Sequence, residues 1–160
     1  MSEPSPHGVV CRTFRPGDEA AFLRLNEEWI SKFFELEPAD REVISDPKTH
    51  ILDRGGQICI AESNGEPIGC CALLVIAPGE FELAKMTVAE TARGHGTGRK
   101  LLQFAVNVAR LMGAHRLYLE SNTKAEAAIH LYEQNGFRHL PGPSHPSKYA
   151  RANVFMERPL

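Results

Sequence analysis

Three glycines alternate with other residues in the segment Arg93-Gly94-His95-Gly96-Thr97-Gly98, which follows a strand-like run and precedes an amphipathic stretch. Glycine lets the backbone turn tightly and, because it has no side chain, leaves main-chain N–H groups open to a ligand. The first turn of the following helix adds N–H groups without intrahelical acceptors and the positive end of the helix dipole. The segment therefore predicts a binding site for an anion such as a phosphate group.

Two arginines accompany these glycines. Arg93 can pair with a phosphate oxygen through charge-assisted hydrogen bonds, although a solvated surface arginine has the same sequence signature. Arg99 falls in the first turn of the predicted helix, where a cation is unfavourable unless an anion is bound nearby. The position of Arg99 therefore supports the anion site.

The periodicity of apolar residues predicts the elements that hold this segment in place. Strand-like alternation covers residues 9–14, 57–63, 67–76, 80–88, 115–120, 137–140 and 153–157. Helical spacing covers residues 17–34, residues 41–52 with a break at Pro47, and the stretch from the glycines to Met112. A last helix opens near Thr123, which has capping-box spacing with Glu126.

This order of elements is strand, helices, three-strand meander, helix, strand, helix and two strands. It predicts an α/β (α+β) fold with a mixed sheet, because the crossover through residues 81–120 makes its two strands parallel. The length of 160 residues suits one domain spanning residues 1–160, with residues 1–8 as a flexible N-terminus.

The bulk properties exclude several classes of function. A formal charge of -2 gives no basic field for nucleic acid, and no window is apolar enough to span a membrane. The four cysteines lack CxxC spacing, which favours reduced thiols and a cytoplasmic location. The seven histidines show no metal-ligand spacing, so we expect no metal site.

The spacing Arg-x-x-Gly-x-Gly resembles the pyrophosphate loop of the GNAT N-acetyltransferases. Residues 82–88 look like the central strand of that family, Asn122 matches its asparagine after the next strand, and Tyr132 matches a tyrosine that precedes a Gly-Phe pair. The resemblance covers residues 57–157. It implies a mostly antiparallel central sheet of six to seven strands flanked by about four helices, with a splayed central strand.

The resemblance also implies an activity. An enzyme of this kind moves an acetyl group from acetyl-CoA, its co-substrate, to a primary amine by direct transfer in a ternary complex, and homodimers are frequent in the family. The cofactor-binding positions carried over from the family are Met86, Thr87, Val88, Arg93, Gly94, His95, Gly96, Thr97, Gly98, Arg99 and Asn122.

Tyr132 matches the tyrosine that protonates the departing thiolate of coenzyme A in the family. The acceptor requires a base as well, because a lysine-type amine with a pKa of about 10.4 is neutral in only about one molecule in 2,500 at pH 7. We select Glu82 on the central strand for that role, with Glu35, Glu37 and Glu120 as rivals. For the acceptor itself, we expect contacts with residues 33–37, including Phe33 and Glu35, and with the proline-rich loop up to Arg151. In that loop, Tyr149 and Arg151 could bind a carboxylate or phenolic group of the acceptor.

Two alternatives remain open at this point. A dinucleotide-binding oxidoreductase would use Glu120 on a ribose, but the glycines are spaced Gly-x-Gly-x-Gly rather than Gly-x-Gly-x-x-Gly. A non-catalytic module that senses acyl-CoA would use the same glycine segment, and the presence of Tyr132 favours chemistry over sensing.

Overall fold

The computed structural model describes residues 8–160, so nearly all of the predicted flexible N-terminus, residues 1–8, lies outside the described residues. Seven strands form one sheet: β1 (Val9–Thr13), β2 (Gln57–Ser63), β3 (Glu66–Ala77), β4 (Glu80–Val88), β5 (Arg116–Ser121), β6 (Arg138–His139) and β7 (Val154–Pro159). Five helices accompany it: α1 (Glu19–Phe33), α2 (Pro38–Ser45), α3 (Pro47–His50), α4 (Thr97–Leu111) and α5 (Glu126–Gln134).

The strands lie in the order β1-β2-β3-β4-β5-β7-β6. Only β4 and β5 are parallel, as the crossover through α4 requires, and every other neighbouring pair is antiparallel. The β4–β5 pairing stops after Glu82 and Tyr118, so the rest of β4 has no partner on that side. The structure thus confirms the predicted mixed, mostly antiparallel sheet with a splayed central strand.

The two faces of the sheet bury separate cores because successive strand residues point to opposite sides. On β2, Cys59 and Ala61 pack toward the face covered by α4 and α5. Ile58 and Ile60 pack toward the other face, covered by α1 to α3. Each fully buried aliphatic side chain stabilises the fold by about 1.5–3 kcal/mol relative to exposure, so both helical layers are fixed to the sheet.

A bulge interrupts β4 three residues beyond its last pair with β5. The pairing register with β3 shifts between Ala84 and Thr87, and Lys85 adopts a left-handed backbone conformation with φ of 55°. Such a conformation is uncommon for a residue with a side chain and needs support from its surroundings. The bulge therefore marks a specialised part of the strand.

Two helix starts differ from the sequence prediction. Helix α2 begins at Pro38 rather than residue 41, because Glu37 and Asp40 form a reciprocal capping box around it. Helix α5 begins at Glu126 with Ala125 at its N-cap, and no side chain caps it. The predicted capping box of Thr123 and Glu126 was therefore wrong; the backbone N–H of Thr123 donates to Asn153 instead.

Candidate active site

The splay between β4 and β5 opens a cavity of about 90 Å³, which we call the cleft. Strands β4 and β5, helices α1 and α5, and the loop before β7 supply its walls. Glu82, Lys85, Met86, Asn122, Tyr132, Tyr149 and Arg151 are among the lining residues. Six of the positions predicted from sequence therefore lie around one cavity, together with Lys85, which was not predicted.

The glycine segment, residues 93–98, lies at the N-terminus of α4 as predicted. Gly94 and Gly96 have φ of 82° and 78°, a left-handed conformation that favours glycine. Among residues 8–160, a side chain at Gly94 would meet no atom within 4 Å, and no side chain caps α4. The hydroxyl of Thr97 is buried without a hydrogen-bond partner in the described chain. Open space, uncapped N–H groups and an orphaned hydroxyl together fit a bound diphosphate.

The arginines and the β4 residues that were predicted to bind the cofactor differ in burial and in the groups that their side chains contact. Nε of Arg93 donates to the carbonyl of Val88 at 3.0 Å, so this arginine joins the end of β4 to the glycine segment. Arg99 is exposed at the start of α4. Thr87 is buried, and its hydroxyl donates to the Leu25 carbonyl at 3.3 Å. Its side chain is therefore structural, and any cofactor contact here would use the backbone.

Asn122 directs its amide toward the protein. Its Nδ2 donates to the Arg151 carbonyl at 2.6 Å, and its Oδ1 accepts from the backbone N–H of Lys124 at 2.8 Å. These bonds tie the turn after β5 to the loop that carries Arg151. Asn122 therefore shapes one wall of the cleft, whatever further contact it makes with a ligand.

Tyr132 lies on α5 against Phe137, with ring centroids 5.7 Å apart. Its hydroxyl has no hydrogen-bond partner among residues 8–160. Burial raises the pKa of Tyr132 above its usual value, because the phenolate would be poorly solvated. The side chain thus presents a neutral hydroxyl at the wall of the cleft, and residues 8–160 do not use this hydroxyl in a hydrogen bond.

Glu82 is the last β4 residue paired with β5, so its backbone is fixed at the point where the strands separate. The side chain is 16% exposed, and the nearest cation-forming group is Nε2 of His145, 3.7 Å from Oε1. Burial, followed by the negative charge of Glu120, raises the pKa of Glu82 to about 7. A carboxyl group with this pKa can both lose and accept a proton near neutral pH.

The three other candidate glutamates differ from Glu82 in their hydrogen bonds and exposure. Glu120 accepts hydrogen bonds from the hydroxyls of Tyr118 at 2.9 Å and Ser147 at 2.6 Å. Glu37 accepts from the guanidinium of Arg151 at 3.0 Å and from a loop N–H. Glu35 is exposed and does not line the cleft. Of the two carboxyl groups that line the cleft, Glu82 and Glu120, Glu82 has the fewer competing bonds.

A buried ion cluster supports the β4 bulge. Asp40 is fully buried and accepts from Nζ of Lys85 at 2.8 Å and from both terminal nitrogens of Arg151 at 2.7 Å. Burial alone would raise the pKa of Asp40, but Arg151 and Lys85 lower it to about 2. Tyr149 completes the cluster: its hydroxyl lies 2.9 Å from Nζ of Lys85. No sequence motif signals this cluster, because its members come from α2, β4 and a distant loop.

The residues expected to contact the acceptor separate into two groups. Tyr149 and Arg151 line the cleft, whereas Phe33 and Glu35 do not. The aromatic wall comes from Phe34, which lies within the expected range of residues 33–37, and from Trp29 on α1, which sequence reasoning did not place at the site. The helical spacing of Trp29 was the available signal. The guanidinium of Arg151 is paired with Asp40 and Glu37, so its positive charge is already compensated within the protein.

A second cavity of about 380 Å³, which we call the outer cavity, adjoins the cleft. Glu82, Glu120 and Tyr149 line both spaces. The other walls come from α2, α3, the end of β3 and the loop around His145. Glu82 therefore faces two chambers with otherwise separate walls.

Residues 8–160 contain no group of three or more His, Cys, Asp and Glu side chains arranged to hold a metal ion. Within the same residues, every helix is too short or too polar to cross a membrane.

Sequence comparison supports the resemblance drawn from the motifs. Residues 22–137 match the acetyltransferase (GNAT) family. An IAA acetyltransferase of Azospirillum brasilense is 32% identical over 141 residues, covering 88% of this chain and 91% of its own length. The uncharacterised N-acetyltransferase YjgM of Escherichia coli K12 is 30% identical over 148 residues, covering 88% of each chain.

Solved structures share the fold. A GNAT-family acetyltransferase from Staphylococcus aureus Mu50 superposes with a TM-score of 0.84 at 21% identity, covering 94% of this chain and 98% of its own. The structure of yncA from Salmonella typhimurium, determined with acetyl-CoA, gives a TM-score of 0.73 at 20% identity, covering 95% and 94%. At these identities the similarity establishes the architecture.

Proposed function

Because the chain belongs to the acetyltransferase (GNAT) family, we propose that it is an N-acetyltransferase that transfers the acetyl group of acetyl-CoA directly to a primary amine. The observation that carries this proposal is the placement of Glu82 and Tyr132 on one cleft, at the point where β4 and β5 separate. One side chain can accept a proton and the other can donate one.

Acetyl-CoA would lie along the cleft with its diphosphate at the glycine segment. Thr97 and the uncapped N–H groups of α4 fit the diphosphate, and the unpaired edge of β4 from Leu83 to Met86 offers backbone groups to the pantetheine arm. The bound co-substrate supplies the activated thioester. The protein orients that thioester against the amine, which removes much of the entropic part of the barrier.

Glu82 is assigned the general-base role. An ammonium acceptor must lose a proton before its nitrogen can attack, and Glu82 lies at the junction of the cleft and the outer cavity. Its raised pKa makes it a stronger base than an ordinary glutamate while leaving about half of it ionised at pH 7. Glu120, whose carboxyl group accepts hydrogen bonds from two hydroxyl groups, is held close enough to Glu82 to help raise the pKa of Glu82.

Tyr132 is assigned the general-acid role at sulfur. In water, proton transfer from tyrosine to a coenzyme A thiolate is uphill by about 2 kcal/mol, because the two pKa values are about 10 and about 8.5. Burial raises the basicity of both anions, so the same low-dielectric cleft that raises the pKa of Tyr132 also raises that of the thiolate. Cys59, Cys70 and Cys71 are buried core thiols, and direct transfer requires no covalent enzyme intermediate.

The proposal is tested by thiol release from acetyl-CoA in the presence of a broad panel of primary amines, with calorimetry of acetyl-CoA binding in parallel. We expect binding, and amine-dependent release of one thiol for each acetylated amine. Binding without release across the panel would favour the acyl-CoA sensor over the enzyme. Absence of binding by folded protein would refute both.

We also propose that the enzyme acts in the cytoplasm. All four cysteines are free, and Cys59 and Cys71 lie directly opposite each other on β2 and β3 without forming a disulfide. Reduced thiols so close together fit a reducing compartment. Localisation of a tagged full-length chain by fractionation would test this assignment.

A further inference from the structure

The outer cavity has the dimensions of a small-molecule site. Its volume of about 380 Å³ falls in the range of about 300–1,000 Å³ that is typical of pockets for small ligands. The walls include aliphatic side chains from three elements: Val43 on α2, Ile51 after α3, and Leu74 and Val75 on β3. The cavity therefore fits a compact molecule with an apolar body rather than a folded protein segment.

One end of the outer cavity is acidic. Glu82 and Glu120 line it where it adjoins the cleft, and under the proposed function this is where the reacting amine must lie. Beside them, Nδ1 of His145 is buried without a hydrogen-bond partner in residues 8–160, although the ring lies 3.7 Å from Glu82. Buried polar atoms are usually hydrogen-bonded, so His145 adds an unsatisfied ring nitrogen close to the two carboxyl groups.

Two cationic side chains also line the outer cavity. Arg54 follows α3 and Lys148 lies in the loop before β7, and neither forms an ion pair or hydrogen bond with residues 8–160. Lys148 is close enough to Glu82 to lower its pKa, against the larger effects of burial and Glu120. Glu42 is the one further carboxylate in the wall. Arg54 and Lys148 thus add two unpaired cations to a wall whose carboxylates are Glu42, Glu82 and Glu120.

These observations depend on the proposed function and narrow its substrate. We propose that the acceptor is an amino acid with an apolar side chain, whose amine lies at Glu82 and whose carboxylate is bound by Arg54 and Lys148. Arg151, which we expected from sequence to bind a carboxylate or phenolic group, is already paired with Asp40 and Glu37, whereas Arg54 and Lys148 are unpaired. A polyamine would bring extra positive charge against Arg54 and Lys148, which is unfavourable.

The test compares acceptors that differ at the carboxylate alone. Leucine, leucinamide and 3-methylbutylamine share a side chain, while the amine of leucinamide is less basic and that of 3-methylbutylamine more basic than that of leucine. Basicity therefore cannot rank leucine above both. We expect kcat/KM for leucine to exceed each of the others by about tenfold or more, the effect of one charge-assisted contact. Equal or higher kcat/KM for 3-methylbutylamine or spermidine would overturn the proposal.

Substitutions in the outer cavity test whether Arg54 and Lys148 cause the preference for an acceptor with a carboxylate. Arg54→Gln and Lys148→Gln should each lower kcat/KM about tenfold more for leucine than for 3-methylbutylamine. Arg41→Gln removes an exposed cation of α2 that does not line the cavity and should leave the ratio unchanged. Equal losses for both acceptors would overturn the carboxylate assignment.

Binding provides a readout that is independent of turnover. Leucine should raise the Tm of the wild-type protein more than 3-methylbutylamine does, and Arg54→Gln should remove this difference. Leucine binding without thiol release would refute the proposed activity and leave the ligand class standing. Thiol release with amines that lack a carboxylate, but not with leucine, would refute the ligand class and leave the activity standing.

Discussion

Replacing Glu82 with glutamine tests the proton-accepting role directly. Glutamine has nearly the same shape but cannot take the proton of the amine. The pKa of Glu82 is raised to about 7 by burial and by Glu120, so at pH 7 about half of the molecules hold the carboxylate. Relative to an ordinary glutamate with a pKa of about 4.3, its proton affinity is a few hundred times higher, equivalent to about 3.5 kcal/mol.

We expect Glu82→Gln to lower kcat by about 10²–10⁴-fold, the usual contribution of a positioned general base. In the wild type, kcat should rise with pH around a midpoint of about 7, and this rise should be absent from the variant. The assay is thiol release at saturating substrates from pH 5.5 to 9, with the Kd of acetyl-CoA as a binding control. An unchanged kcat, or an unchanged midpoint in Glu82→Gln, would refute the assignment.

Glu120→Gln is the matched control, because it removes a neighbouring carboxylate and keeps the base. The activity should persist, and the midpoint should move to lower pH because Glu82 no longer faces that negative charge. A midpoint that stays in place would show that Glu120 does not set the titration.

Stability offers a second readout of the same group. The folded-state pKa of Glu82 lies above its unfolded value, so the folded state binds more protons between pH of about 4.3 and 7. The contribution of Glu82 to stability is therefore complete below pH of about 4.3 and is lost as the pH rises through 7. The Tm of Glu82→Gln minus the Tm of the wild type should therefore increase from pH 5 to pH 8. A difference that does not change with pH would contradict the raised pKa.

Three further substitutions test other parts of the structure. Tyr132→Phe removes a hydroxyl that bonds to nothing in residues 8–160, so the fold should be kept while kcat falls at least tenfold at an unchanged Kd for acetyl-CoA; an unchanged kcat would eliminate the acid role. Asp40→Asn leaves the buried cation of Lys85 without its charged partner and should cost about 3–5 kcal/mol, measured by urea unfolding; a loss below 1 kcal/mol would contradict the buried pairing. Gly94→Ala and Gly113→Ala impose the same backbone strain in open space, with φ of 82° and 87°, but only the first should weaken acetyl-CoA binding. Equal binding by both would place the diphosphate elsewhere.

The elements that hold the site could be predicted because each depends on local signals. The alternation in residues 57–88 specifies the meander, and the glycines before α4 specify a turn that few other residues can form. The separation of α3 from α2 at Pro47 also follows from local chemistry, since proline favours the first turn of a new helix.

The parts that could not be predicted depend on contacts between distant segments. Asp40 and Arg151 are 111 residues apart, and nothing near either residue identifies its partner. The same holds for His145 and Glu82, which come together only because the loop before β7 folds over the end of β5. Phe34 reached the cleft in place of Phe33 because α1 ends between them and the chain turns to an extended conformation. A one-residue difference at a helix end is below the resolution of a periodicity argument.

The shared boundary of the two cavities has a consequence for how such enzymes diversify. The backbone of Glu82 is held by strand pairing in the sheet. Most of the outer cavity is instead formed by residues 39–54 and 145–149, which lie outside the strands, together with the end of β3. Exchange of those two segments between homologues, with Asp40 and His145 retained because they pair with Lys85 and Glu82, would change the amine acceptor and keep the general base in place. Chimaeras that swap both segments together should therefore inherit the selectivity of the donor enzyme and the turnover chemistry of the recipient.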